Sequence, residues 1–252
     1  METILRDGEK IDIIPGSNYK IIQNRGKFSY GTDAILLSNF SKIKIDSTGL
    51  DLGTGTGIIP LFLCSRYSPK KVYGIEIQEE VADMASRSVK MNNLGEQIEI
   101  LNMDLKNLPE IFKSGQFQFV TSNPPYMKGG GGIVNERDNF AISRHEIACS
   151  LEDIVRTASY LLCQGGKFFM VHRPHRLVDI IWLLRKYNLE PKSIQFVHPK
   201  YDEKPNILLI MSMKGGKSEL KFQKPLYVYN HDGTYTDEIY KIYGMDVENK
   251  NG

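Results

Sequence analysis

Asn123-Pro124-Pro125-Tyr126 follows an apolar run, Phe117-Gln118-Phe119-Val120-Thr121-Ser122, that reads as a strand. A side-chain amide and a proline carbonyl at a strand end set two hydrogen-bond acceptors side by side, and two successive prolines fix the backbone that carries them. Such a pair suits a planar nitrogen whose lone pair is delocalised into a ring or carbonyl. Gripping both N–H bonds turns that lone pair out of the plane and stabilises the charge that develops as nitrogen attacks an electrophile. Asn123 offers its side-chain oxygen, Pro124 its carbonyl, Pro125 a rigid turn and Tyr126 an aromatic face on which a ring can stack. No strong base is required, because the ammonium product loses its proton readily. Taken alone, Asn-Pro and Pro-Pro mark a turn in any protein.

A second motif, Asp51-Leu52-Gly53-Thr54-Gly55-Thr56-Gly57, lies upstream at the end of another apolar stretch. Gly53, Gly55 and Gly57, with Thr54 between them, allow a tight turn and close backbone approach to a ligand, and the helix that follows presents unsatisfied N–H groups to an anion such as a carboxylate. Nucleotide-binding folds share this pattern. Glu76 sharpens it: it ends the next strand, 25 positions after Asp51, where a carboxylate accepts hydrogen bonds from both hydroxyls of a ribose. Asp104 ends a third strand and can face an amino group on a base. Ile77 and Leu105, directly after those acids, belong to the same candidate pocket. Asp51 is placed to orient a cationic amino group, directly or through water. Exposed strand-end acids such as Glu79 and Glu80 are the bland alternative for Glu76, and an ordinary turn is the alternative for Asp104.

The elements that must position these residues alternate strand and helix from about residue 49, the pattern of a mostly parallel sheet covered by helices. Strands are expected at 49–52, 71–77, 97–102, 117–121 and 167–172, and helices at 58–66, 78–92, 151–162 and 175–187. Val81, Met84, Ala85, Ser88 and Met91 share one face of the second helix. Gly165-Gly166 is read as the stop of the third helix, and Trp182 as part of the core. Runs 193–198 and 207–213 are expected to pair antiparallel and close the sheet, and the tail around 225–229 to add an edge strand. The fold class is α/β and Rossmann-like, a mostly parallel seven-stranded sheet with an antiparallel edge strand. Residues 1–45, broken by Gly8, Pro15-Gly16 and Gly26 and holding a short helix at 33–40, form a strand-rich N-terminal extension packed on the 46–252 domain.

The 252 residues, 41% hydrophobic and 25% charged, suffice for one such core. No apolar run nears the ~18 residues that span a bilayer, and the first residues lack signal-peptide organisation. A cytoplasmic protein without a membrane partner is expected. Cys64, Cys149 and Cys163 have no metal-like spacing and are read as small buried side chains, so no metal is expected. The net charge of +2 hides an asymmetry: residues 74–110 hold eight acids against three Lys or Arg, and residues 165–217 hold ten Lys or Arg against four acids. The basic half fits either a docked polyanion or a solvated surface.

With both motifs in this order, the chain resembles the bacterial tRNA adenine-N6 methyltransferases that modify valine tRNA next to the anticodon, class I enzymes dependent on S-adenosylmethionine. The likeness covers nearly the whole chain: Phe28-Ser29-Tyr30-Gly31-Thr32-Asp33, the glycine motif, Asn123 to Tyr126, Arg144-His145-Glu146, Val171-His172-Arg173-Pro174, Phe196-Val197-His198-Pro199-Lys200 and Lys214-Gly215-Gly216-Lys217. It implies S-adenosylmethionine as methyl donor and tRNA as partner. It also implies that Tyr30, Thr32 and Asp33 line the donor pocket near the methionine end, and that Arg173, Lys200, Lys204 and Lys214 touch RNA. Lys128, Arg137 and Arg144, around the glycine run Gly129 to Gly132, join that RNA set; the run itself is read either as a loop that closes over a flipped base or as a plain surface loop. Methylation of a protein glutamine, methylation of guanine N2 in rRNA, and a donor-binding module that only interacts with RNA are the alternatives. The glutamine enzymes usually carry a helical N-terminal domain, which this strand-rich extension does not supply.

Overall fold

The computed structural model describes residues 5–24, 29–124 and 149–245. Strands β1 (Glu9–Ile13) and β2 (Lys20–Asn24) form an antiparallel hairpin. There follow α1 (Thr32–Phe40), β3 (Thr48–Leu52), α2 (Ile58–Tyr67), β4 (Lys71–Glu76), α3 (Glu79–Met91), β5 (Ile98–Asn102), the short α4 (Leu108–Ile111) and β6 (Phe117–Ser122). The second half holds α5 (Leu151–Leu161), β7 (Leu162–His172), α6 (Leu177–Lys186), β8 (Leu189–His198), β9 (Ile207–Lys214), two-residue strands β10 (Lys221–Phe222) and β11 (Leu226–Tyr227), and α7 (Asp237–Ile242).

The long strands lie in the order β8-β9-β7-β6-β3-β4-β5, and β10 and β11 both add to β8. Every pair is parallel except those of β9, which runs antiparallel to β7 and β8. This is a Rossmann-like α/β sheet. The antiparallel strand expected at the edge lies one place inside it: α6 carries the chain past an empty position to β8, and the short loop after His198 returns β9 into the gap. Successive residues alternate between two apolar layers, as a pleated strand requires. Phe169, Val171, Ile207 and Leu209 join the layer beneath α1 and α2, while Phe168, Met170, Leu208 and Ile210 face α5 and α6.

Some local expectations change. Gly165-Gly166 does not stop a helix; α5 ends at Leu161 and both glycines lie within β7, where its pairing with β6 is irregular. Gly165 has φ +75°, and a Cβ on Gly166 would come within 2.8 Å of the Cys163 carbonyl oxygen, so the sequence reads as a helix stop but serves a bulge. Trp182 is not core: α6 buries Ile180, Leu183 and Leu184, which leaves Val178 and Trp182 on its outer side, with Trp182 60% exposed under the Lys186 ammonium. Of the three cysteines Cys64 is buried, while Cys149 and Cys163 are half-buried.

The hairpin is tied to α3 by backbone and charge. Ser88 Oγ accepts the Ile22 N–H at 2.9 Å while donating to the Met84 carbonyl at 2.8 Å. Asn92 accepts from the Lys20 N–H at 2.8 Å and donates to its carbonyl at 2.6 Å. Arg87 closes a two-nitrogen contact on the Glu9 carboxylate, at 2.7 and 2.5 Å.

Candidate active site

The strand order reverses between β3 and β6. From β3 the chain builds outward through β4 and β5 on one side, and through β6 and β7 on the other. A crevice opens at such a reversal, outside the carboxyl ends of the strands. The motif of residues 51–57 leaves the end of β3, and Asn123-Pro124 leaves the end of β6, so the two chemically informative stretches flank one switch point.

The glycine turn is fastened to β4 and its acid. Gly53 and Thr54 both donate their N–H groups to the Ile75 carbonyl, at 3.0 and 2.9 Å. Glu76, 5% exposed, accepts the Gly55 N–H on Oε2 and the Gln78 N–H on Oε1, each at 3.0 Å. Gly53 and Gly55 take φ of +74° and +57°, a region that other residues enter only with strain, and a Cβ built on either meets nothing within 4 Å. The turn therefore faces open space. Asn102 donates to the Glu76 and Ile77 carbonyls at 2.9 and 3.1 Å, which fixes the acid's backbone, and Ile77 presents an apolar side chain, 43% exposed, beside it. Asp104 stands at the same edge after β5, where its Oδ1 accepts the Lys106 N–H at 2.9 Å and its Oδ2 pairs with the Lys106 ammonium at 3.2 Å. Leu105 follows it, half-buried.

Asp51 is fully buried. Its Oδ1 accepts the Thr121 hydroxyl at 2.7 Å, and its Oδ2 has no hydrogen-bond partner. Burial drives its carboxyl up to about 6, opposed chiefly by the Thr121 hydroxyl and assisted by the charge of Glu76. A buried carboxylate with an unused oxygen next to the glycine turn has the chemistry to accept a cationic group. The cost to the fold has a defined sign. Because the folded protein holds this proton more tightly than the unfolded chain, the penalty is absent below about pH 4, grows from there to pH 6 and is complete above it. Asp51→Asn is therefore expected to match the wild type in stability near pH 4 and to exceed it by about 3 kcal/mol at pH 7. Denaturant titrations at both pH values check this; an equal difference at both would remove the buried charge as its cause.

Thr121 and Ser122 were not singled out from sequence. Thr121 holds Asp51, and Ser122 donates to the Leu52 carbonyl at 2.9 Å, locking β6 to β3 directly before Asn123. Two hydroxyls closing an apolar run just ahead of Asn-Pro are the signal that could have found them. Asn123 is half-buried and Pro124 buried. Pro125, Tyr126, Lys128, Arg137 and Arg144 lie outside the described residues.

Of the other expected site residues, Tyr30 donates its N–H to Gln23 Oε1 at 2.9 Å, and Thr32 and Asp33 open α1. Asp33 meets Arg173, from the end of β7, at 4.0 Å. Arg173 also donates to the Asn206 carbonyl at 2.9 Å. His172 beside it accepts the Arg173 N–H on Nδ1, and burial, with the charges of Arg176, His175 and Arg173, drives its pKa down to about 4, so it stays neutral near pH 7. Lys200 and Lys204 sit in the loop after β8, on the same edge as Asn123. Lys214 does not join them. It ends the antiparallel β9, at the opposite edge of the sheet, and its ammonium donates to the Ser159 carbonyl near the end of α5. Among the described residues no group of three His, Cys, Asp or Glu converges as a metal site, and no helix is long and apolar enough to cross a membrane.

Known proteins resemble this chain in sequence and fold. A protein from Porphyromonas gingivalis named tRNA1(Val) (adenine(37)-N6)-methyltransferase is 29% identical over 206 residues, 79% of each chain. One of the same name from Pedobacter heparinus is 25% identical over 89% of this chain and 92% of its own length. A solved structure from Agrobacterium tumefaciens, described as a predicted O-methyltransferase, superposes with a TM-score of 0.68 at 23% identity, over 84% of this chain and 95% of that one, a likeness of fold. The model of the methyltransferase small domain matches residues 18–186, which contain the glycine turn, Glu76 and Asn123. With its Rossmann-like sheet and both motifs at one switch point, this chain belongs to the methyltransferase small-domain family.

Proposed function

We propose that the protein transfers a methyl group from S-adenosylmethionine to the N6-amino group of an adenine in tRNA, next to the anticodon. The observation that carries this reading is the shared switch point, where a donor-type glycine turn and an acceptor pair for a planar nitrogen flank one crevice. The names of the relatives direct the acceptor toward tRNA adenine.

The residues present fit the donor. S-adenosylmethionine supplies an electrophilic methyl on a sulfonium. The open turn at Gly53 and Gly55 admits its backbone-sized methionine end, and the unused Asp51 Oδ2 suits the ammonium there, with Thr32 and Asp33 assigned to the same end. Each Glu76 oxygen that already accepts one backbone N–H keeps a second lone pair for a ribose hydroxyl. Ile77 and Leu105 offer apolar contact to the adenine, and Asp104 an acceptor for its amino group. On the acceptor side Asn123 Oδ1 and the Pro124 carbonyl grip the two N–H bonds of the target, so the lone pair is aimed while the nitrogen pyramidalises. Pro125 and Tyr126 are assigned the rigid turn and the stacking face. Lys128, Arg137, Arg144, Arg173, Lys200 and Lys204 are assigned to the RNA backbone.

Residues 1–45 are read as an extension of the 46–252 methyltransferase domain, a reading supported by the ties of the hairpin to α3. Work on tRNA supports a cytoplasmic location. Incubation with labelled S-adenosylmethionine, unmodified tRNA and total cell protein is expected to label RNA alone, with a yield that falls steeply with salt. Label in protein and none in RNA would overturn the reading in favour of a glutamine acceptor.

A further inference from the structure

The tip of the β8–β9 loop carries an aromatic array that the methyl-transfer chemistry does not use. Tyr201 is 72% exposed, and its ring lies 5.3 Å from that of Tyr227 at 44°. Tyr227 in turn lies 5.2 Å from the His198 ring, also at 44°. Three rings from two segments thus meet at one place, and the outermost has most of its surface in water.

The loop that presents Tyr201 is held rather than loose. The His198 Nδ1 and the Glu203 carbonyl are 2.7 Å apart, the Glu203 N–H donates to the Lys200 carbonyl at 3.2 Å, and the Asn206 N–H donates to the Val197 carbonyl at 3.0 Å. From the other side, β11 and the residues after it brace the loop, with Val228 and Tyr229 donating to the His198 and Pro199 carbonyls at 2.9 and 2.8 Å. An aromatic ring presented by a braced loop loses little conformational freedom when a partner stacks on it.

Location selects the partner. β8 runs parallel to β6, so this loop and Asn123 leave the same edge of the sheet. Three strand spacings separate them, about 14 Å. That is too far for the base held at Asn123 and suits another nucleotide of the same strand. Charge points the same way. Lys200 and Lys204, already assigned to the RNA backbone, flank the ring and place it beside a phosphate path, while Asp202 and Glu203 keep the loop near neutral, so the ring face adds a contact that charge alone does not supply. Stacking on an aromatic ring tolerates any base and requires one that is unpaired.

We propose that Tyr201, backed by Tyr227 and His198, is a stacking subsite for an unpaired nucleobase of the RNA substrate, a few positions from the base that is methylated. This rests on the RNA reading of the active site. The test is steady-state transfer to unmodified tRNA by wild type, Tyr201→Ala and Tyr201→Phe, with donor affinity and the salt dependence of tRNA binding measured for each. Tyr201→Ala is expected to raise KM for tRNA about tenfold. Its kcat, donor affinity and salt slope should stay close to wild type, since no phosphate contact is lost. Tyr201→Phe, which keeps the ring, is expected to restore KM to within about twofold. A wild-type KM in Tyr201→Ala overturns the subsite and leaves the methyltransferase reading standing. A Tyr201→Phe as weak as Tyr201→Ala overturns it too, because the hydroxyl and not the ring would then make the contact. A wild type that transfers nothing to tRNA removes the active-site reading and the subsite with it.

Discussion

Asn123→Ala is expected to lower kcat about 10²–10³-fold while donor affinity stays within about threefold of wild type. In the proposed reading the side-chain oxygen is one of two acceptors that favour the pyramidal, partly charged nitrogen, so its value is expected only as that charge develops. The Pro124 carbonyl, proposed as the other acceptor, survives the substitution, so turnover is expected to fall without vanishing. β6 stays locked to β3 through Thr121 and Ser122, which keeps the fold and the glycine turn intact. Single-turnover transfer and calorimetric titration of S-adenosylhomocysteine separate the two quantities. An equal loss of donor binding would move Asn123 from the acceptor to the donor side of the crevice.

The second large effect belongs to the donor. Glu76→Ala is expected to weaken S-adenosylmethionine binding about 100-fold, with loss of two charge-assisted bonds to the ribose hydroxyls as the main cause. It also releases the Gly55 and Gln78 N–H groups, which the carboxylate now holds, and so loosens the turn that faces the methionine end. Glu76→Gln keeps one acceptor oxygen and should fall between the two. At saturating donor, kcat of either variant should recover to near wild type, because neither touches the acceptor nitrogen. Unchanged donor affinity in Glu76→Ala would reject the ribose role.

Much of this site was legible because its chemistry sits at strand ends, and strand ends are what apolar runs punctuated by Gly, Asp and Asn-Pro reveal. The alternation along β3, β4, β5 and β6 places Asp51, Glu76, Asp104 and Asn123 at or next to strand ends on one edge of the sheet. What sequence spacing could not carry was contact between distant segments. Thr121 beneath Asp51 and Asn102 clamping Glu76 depend on register between strands, and register is set by pairing across the sheet. Lys214 shows the same limit. Its resemblance to an RNA contact took no account of strand direction, and the antiparallel run of β9 carries it to the far edge. Trp182 was misread because an apolar stripe on a helix has two sides, and only packing decides which one is buried.

The two motifs at the switch point are proposed to form one centre that methylates adenine N6 in RNA. Nucleoside analysis of unmodified tRNA after reaction with S-adenosylmethionine tests it most directly. N6-methyladenosine is the expected labelled nucleoside, reduced to trace in Asn123→Ala. Labelled N2-methylguanosine in place of it, or N6-methyladenosine formed equally well by Asn123→Ala, would contradict the account.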